Sequence, residues 1–138
     1  MKKSIFILFV ALGIAFWFQA AMIINLVGAT VFSPNNPKLV LFWLLVIPIT
    51  WISLWITKVI SKLPYQELLK PVVIMTFTAT FLDAVALTWF RQLYSESYEV
   101  ALYGAAWILW GAGLGLLFSF CLNIKGSKDR LNQRTRIS

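Results

Sequence analysis

Four stretches of this chain, residues 5–32, 39–60, 71–91 and 100–122, are too long and too apolar to make the core of a domain in water. As a helix, at ~1.5 Å per residue, each covers a hydrocarbon layer of ~30 Å. Only Lys58, Asp83 and Arg91 carry charge within them. Lipid offers no partner for an exposed backbone N–H or C=O, so such stretches must satisfy their own hydrogen bonds as helices and pack against one another. The expected fold is therefore all-α, an integral membrane four-helix bundle. Composition agrees: of the 138 residues 60% are hydrophobic and 12% charged, about half the charge of an ordinary soluble domain. One domain is expected over residues 1–123. The basic tail 124–138 has too few apolar residues to fold alone and reads as disordered.

The breaks between the runs have turn and interface chemistry. Ser33-Pro34-Asn35-Asn36-Pro37 is a turn by composition. Lys58, Lys62, Pro64, Glu67 and Lys70 mark an aqueous connector, with room for a short interfacial helical turn at 65–69. Pro71 falls in the first turn of the third helix, where a missing N–H costs little, and Pro48 is expected to kink the second. Residues 92–99 form a short, polar, slightly acidic connector. Met1-Lys2-Lys3 resembles the start of a secretory signal, but the apolar run behind it far exceeds the usual 7–15 residues or so. Phe18 and Gln19 also spoil the small-residue site at Ala20–Ala21, so a retained helix is expected.

Orientation follows from the basic residues beside the helix ends. With the N-terminus in the cytoplasm, that side holds Lys2, Lys3, Lys58, Lys62, Lys70, Lys125, Lys128, Arg130, Arg134 and Arg136, and the other holds Lys38 and Arg91. Both termini are expected inside. A bias this large argues against insertion both ways round. Trp43, Trp55, Trp89 and Trp107 fall near run ends, as an interfacial aromatic belt requires; Trp17, Trp51 and Trp110 sit deeper, between helices.

Several chemistries are excluded. There is no histidine and only one cysteine, Cys121, so imidazole-based metal and haem sites and an internal disulfide are out. No metal site and no cofactor is expected. The net charge of +7 is spread where lipid headgroups would be, which suits anionic lipid at the basic tail rather than nucleic acid. No glycine-rich phosphate loop and no paired intramembrane carboxylates occur, so no enzyme activity is expected.

Asp83 is the sharpest feature. A carboxylate twelve residues into the third run, near the bilayer midplane, costs several kcal/mol and is usually functional or paired. At 100° per residue Thr76, Thr80 and Asp83 share a stripe, with Arg91 at its edge about 12 Å further along the axis. They read as a polar track toward the outer face. Asp83 is either a protonatable or cation-binding group in a transport path, or a structural acid bonded to Thr80, Gln19 or Asn25. Gln19 and Asn25 are amides suited to bridging helices. Thr50, Ser53 and Thr57 make a narrow polar stripe whose hydroxyls can bond back to their own helix. In the fourth helix Gly104, Gly111 and Gly115 share one face, and Gly111-x-x-x-Gly115 matches the close-approach motif of membrane helices. Cys121 reads as a small hydrophobe.

The stretch Thr80-Phe81-Leu82-Asp83-Ala84-Val85-Ala86-Leu87, then Trp89-Phe90, and Ala105-Ala106-Trp107-Ile108-Leu109-Trp110-Gly111, resembles a family of small bacterial, including cyanobacterial, four-helix membrane proteins of unknown function. That resemblance implies a bacterial plasma membrane, or a thylakoid membrane in a cyanobacterium, and assigns Asp83 no role.

The leading functional expectation is a small structural or accessory membrane subunit that acts through helix–helix contacts, with itself or with a larger membrane complex. The alternative is a small proton- or cation-coupled transporter or channel subunit that uses Asp83.

Overall fold

The computed structural model describes residues 2–32 and 35–137; Ser33 and Pro34 of the expected turn lie outside them. The described residues form four helices, α1 (Lys3–Val31), α2 (Pro37–Ser61), α3 (Leu69–Trp89) and α4 (Tyr98–Ile137). Two 3-10 turns join them, Tyr65–Glu67 before α3 and Arg91–Leu93 before α4. All four helices are long and apolar enough to cross a membrane.

The boundaries follow local chemistry. Pro37 opens α2 at a position whose N–H would have no helical partner anyway. Asn36 caps it, accepting from Lys38 N at 2.9 Å and donating through Nδ2 to Thr30 O at 2.7 Å. One amide thus ties the end of α1 to the start of α2. At the far end Lys62 takes a left-handed backbone (φ 60°) and stops α2.

α1 lies along α3, α4 packs on α3 and α2, and α2 and α3 scarcely touch. Gly13 permits the α1–α3 approach: a Cβ there would lie 3.0 Å from the carbonyl oxygen of Met75 and 3.1 Å from its Cα. Backbone cannot swing aside as a side chain can, so the two helices meet closely only where α1 lacks a side chain.

The core is divided in two. At the end of the bundle that carries Arg91, the residues Ile24, Phe32, Val46, Ala86 and Trp107 pack together. At the end that carries Lys62, Phe9, Leu54, Leu68, Val72 and Met75 do so. The outward faces are bare hydrocarbon: Leu26, Phe81, Leu102 and Leu109 are each about 70% exposed or more.

Three expectations need correction. The tail is not separate from α4, which continues unbroken for 40 residues, about 60 Å, or twice the hydrocarbon thickness. Its extension docks on the 65–67 turn: Asn123 Nδ2 donates to Gln66 O at 3.1 Å, Arg130 pairs with Glu67 at 3.1 Å, and Gly126 lies against Gln66. A helix already nucleated propagates cheaply into residues that could not start one. Next, Trp107 is core rather than belt, 5% exposed, because its indole turns inward onto α2. Last, α3 starts at Leu69 and stops at Trp89, so its midpoint is Ala79. Asp83 lies about 6 Å beyond that midpoint, toward the Arg91 end.

Candidate functional site

Between the two halves of the core is a chamber of about 200 Å³ to which all four helices contribute. α1 gives Phe16, Trp17 and Gln19, while α2 turns its hydroxyl stripe of Thr50, Ser53 and Thr57 inward. α3 gives Thr76, Thr80 and Asp83, and α4 gives Trp107, Gly111 and Gly115. The two polar stripes legible in α2 and α3 therefore line the same space. The remaining wall is largely apolar.

Asp83 is 9% exposed. Its Oδ1 accepts from the Tyr94 hydroxyl at 2.5 Å, and the Tyr94 oxygen accepts in turn from Trp17 Nε1 at 2.9 Å. At 2.5 Å the bond between Tyr94 and Asp83 is at the short end of the O–H···O range. Tyr94 is fully buried although it stands in the connector, because the 91–93 turn folds back beneath the bundle end. Burial, then the adjacent Asp83 carboxyl, holds its phenol above the ordinary value, so at neutral pH it is a neutral donor. A carboxyl group has more than one acceptor position, so the Tyr94 bond leaves others available to the chamber.

Other candidates are placed differently from the sequence reading. Arg91 belongs to no polar track. Its guanidinium donates to Ser95 O at 3.0 Å and Glu96 O at 2.6 Å and lies 3.7 Å from the centre of the Tyr98 ring. It braces the connector. Asn25 does bridge elements, but to that connector rather than to Asp83, donating to Leu93 O at 3.1 Å. Thr80 donates to Thr76 O in its own helix at 2.7 Å. Neither Asn25 nor Thr80 bonds Asp83, and Gln19 lines the chamber without a hydrogen bond to it among the described residues.

The glycine face of α4 is used within the chain. A Cβ on Gly104 would come within 2.8 Å of the Ile24 side chain, and one on Gly111 within 3.2 Å of Val46. Gly115 faces the chamber, 3.9 Å from Thr50. Trp107 stacks on Phe42 at 4.8 Å and donates to Phe42 O at 3.2 Å. Its indole N–H is thereby satisfied by α2 while the ring walls the chamber.

Tyr94 was missed from the sequence, where a polar connector reads as solvated. The available signal was Leu93-Tyr94, two large side chains in an otherwise hydrophilic segment. Among the described residues no three carboxylate or thiol groups gather as a metal site would need.

The family model described as Family of unknown function (DUF5367) matches residues 31–126. The chain belongs to that family. The DUF5367 match runs from the last residue of α1 into the extension of α4, so it takes in Asp83, Tyr94 and the chamber walls of three helices. Trp17 and Gln19 fall before it. No curated protein and no solved structure matches the chain.

Proposed function

We propose that this is a multi-pass membrane protein with both termini in the cytoplasm, and that it moves protons or a small cation through an intramembrane chamber with Asp83 as the charged group. The observation that supports this reading is a carboxyl group set in the wall of a partly open pocket lined by all four helices. An acid kept only as glue needs no space beside it. Insertion is supported by the exposed hydrocarbon around the bundle and four spans of sufficient length. Orientation is supported by the excess of lysine and arginine at the Lys62 end.

The accessory-subunit reading drew on a glycine face and spare amides. Gly104 and Gly111 meet Ile24 and Val46, and Asn25 bonds Leu93 O, so these contacts are used within one chain, while the Gln19 amide is left for another partner. The accessory reading is also supported by the basic extension of α4, which offers an exposed surface to anionic lipid or an acidic partner.

The test is flux in proteoliposomes, wild type against Asp83→Asn, with pH and salt gradients imposed. Wild-type flux that the substitution abolishes supports transport. Unchanged flux removes Asp83 from the path. A wild type without flux, paired with an Asp83→Asn variant that fails to accumulate, makes the acid structural.

A further inference from the structure

The hydrogen-bonding state of the chamber wall has a direction. A hydroxyl carries one proton and two lone pairs. Thr50 gives its proton to Val46 O at 2.7 Å, Ser53 to Ile49 O at 2.9 Å, Thr57 to Ser53 O at 2.8 Å and Thr80 to Thr76 O at 2.7 Å. With those protons used, each hydroxyl oxygen can only accept. The nitrogen donors are used too: Trp17 Nε1 on Tyr94, Trp107 Nε1 on Phe42 O. The Tyr94 proton is on Asp83. Against one carboxylate and at least four acceptor hydroxyls, the lining keeps only the Gln19 amide and the Thr76 hydroxyl as donors, and no lysine or arginine. An anion would meet like charge and almost no donors. A purely apolar molecule would leave the carboxylate facing hydrocarbon, which is costly.

We infer that the chamber takes a small lipophilic amine, bound as its ammonium, with N–H groups on Asp83 and the acceptor hydroxyls and its apolar body against the aromatic wall. The inference rests on the cation reading above and narrows it. The rings of Phe16, Trp17 and Trp107 favour an organic cation over a hydrated metal ion, since an aromatic face attracts a desolvated ammonium and covers the apolar remainder. A dry cavity of about 150 Å³ holds a benzene, so the partly open pocket of about 200 Å³ has room for a benzene-sized body with a short aminoalkyl arm.

The test uses full-length protein in nanodiscs, titrated with phenethylamine hydrochloride, 2-phenylethanol, 3-phenylpropanoate and sodium chloride. Tryptophan emission is the readout, because Trp17 and Trp107 line the site. A saturable change with phenethylamine is expected, with binding at least tenfold weaker for the alcohol and absent for the carboxylate. Asp83→Asn should bring the amine down to the affinity of the alcohol. If that variant does not fold, Thr50→Val, which removes one wall acceptor at nearly constant shape, should weaken the amine several-fold. Equal binding of alcohol and amine, or any saturable binding of 3-phenylpropanoate, overturns the inference. Asp83-dependent sodium binding or proton flux without an amine effect overturns the amine and leaves the transport reading standing. Silence in both the titrations and the flux assay overturns both.

Discussion

Replacing Tyr94 by phenylalanine removes one oxygen and strands two groups. Asp83 loses a donor at 2.5 Å and Trp17 Nε1 loses an acceptor at 2.9 Å. The ring itself still fills its fully buried site, so the loss is confined to hydrogen bonding. A bond to a charged group contributes about 1.5–3 kcal/mol net, and a buried neutral donor left unpaired costs about 1–3 kcal/mol. The chamber beside Asp83 lets a water or counter-ion relieve part of this, so the low end of each range applies and a total of about 2–4 kcal/mol is expected. The assay is reversible unfolding of the purified protein in mixed micelles, followed by tryptophan emission. A double-mutant cycle with Asp83→Leu isolates the pair, because each single change deletes the same bond. A coupling of about 1.5–3 kcal/mol is expected, well above the ~0.5 kcal/mol within which independent sites add. Strict additivity would mean that Tyr94 and Asp83 do not bond. The account of the site, in which the connector is pinned to α3 through that carboxyl, would then fall.

Three further outcomes are open to measurement. Gly104→Ala should destabilise the bundle by about 1–3 kcal/mol, since the new methyl meets Ile24 at 2.8 Å. Gly113→Ala, with open space around it, should be neutral or stabilising by up to about 1 kcal/mol through helix propensity; equal effects at the two positions would contradict the packing. In a Cys121→Ser background, single cysteines at Lys3 and Arg136 should react with an impermeant maleimide from the same side of sealed vesicles, and labelling from opposite sides would refute the orientation. Spin labels scanned along 124–137 should report helical periodicity and restricted motion near Gly126, whereas Glu67→Gln should cost under about 1 kcal/mol because Arg130 is largely and Glu67 about half exposed. Uniformly fast motion from residue 124 onward would restore the disordered tail.

The helices were legible because the cost of exposing backbone to lipid leaves a long apolar run few alternatives. Asp83 was legible for the same reason: a lone carboxylate within such a run stands out whatever its neighbours. Its partner was not. Tyr94 reaches Asp83 only because α3 stops at Trp89 and the 91–93 turn folds inward, and nothing in a polar connector's composition fixes which of its side chains goes under the bundle. The α2 hydroxyls and the α3 stripe could each be placed on one face of a helix, yet that they face a common space depends on the mutual rotation of helices, which is set by Gly13, Gly104 and the residues they admit. The extension of α4 is hidden in the composition of residues 124–138, which has too few apolar residues to start a helix alone. As a continuation of α4 they need no nucleus of their own.

The chamber itself bears on whether Asp83 is glue or site. Larger residues at Gly115 or Ala112 would reduce the chamber, and Gly115 has no neighbour closer than 3.9 Å to forbid one. A sequence that only needed four helices held together gains nothing by leaving that space beside a carboxylate. An occupant that enters and leaves accounts for both features at once, and Gly115→Leu separates the cases. If the void is only a packing defect, filling it should stabilise the protein without other consequence. If it is the site, the same substitution should stabilise the bundle and abolish both flux and the tryptophan response to phenethylamine.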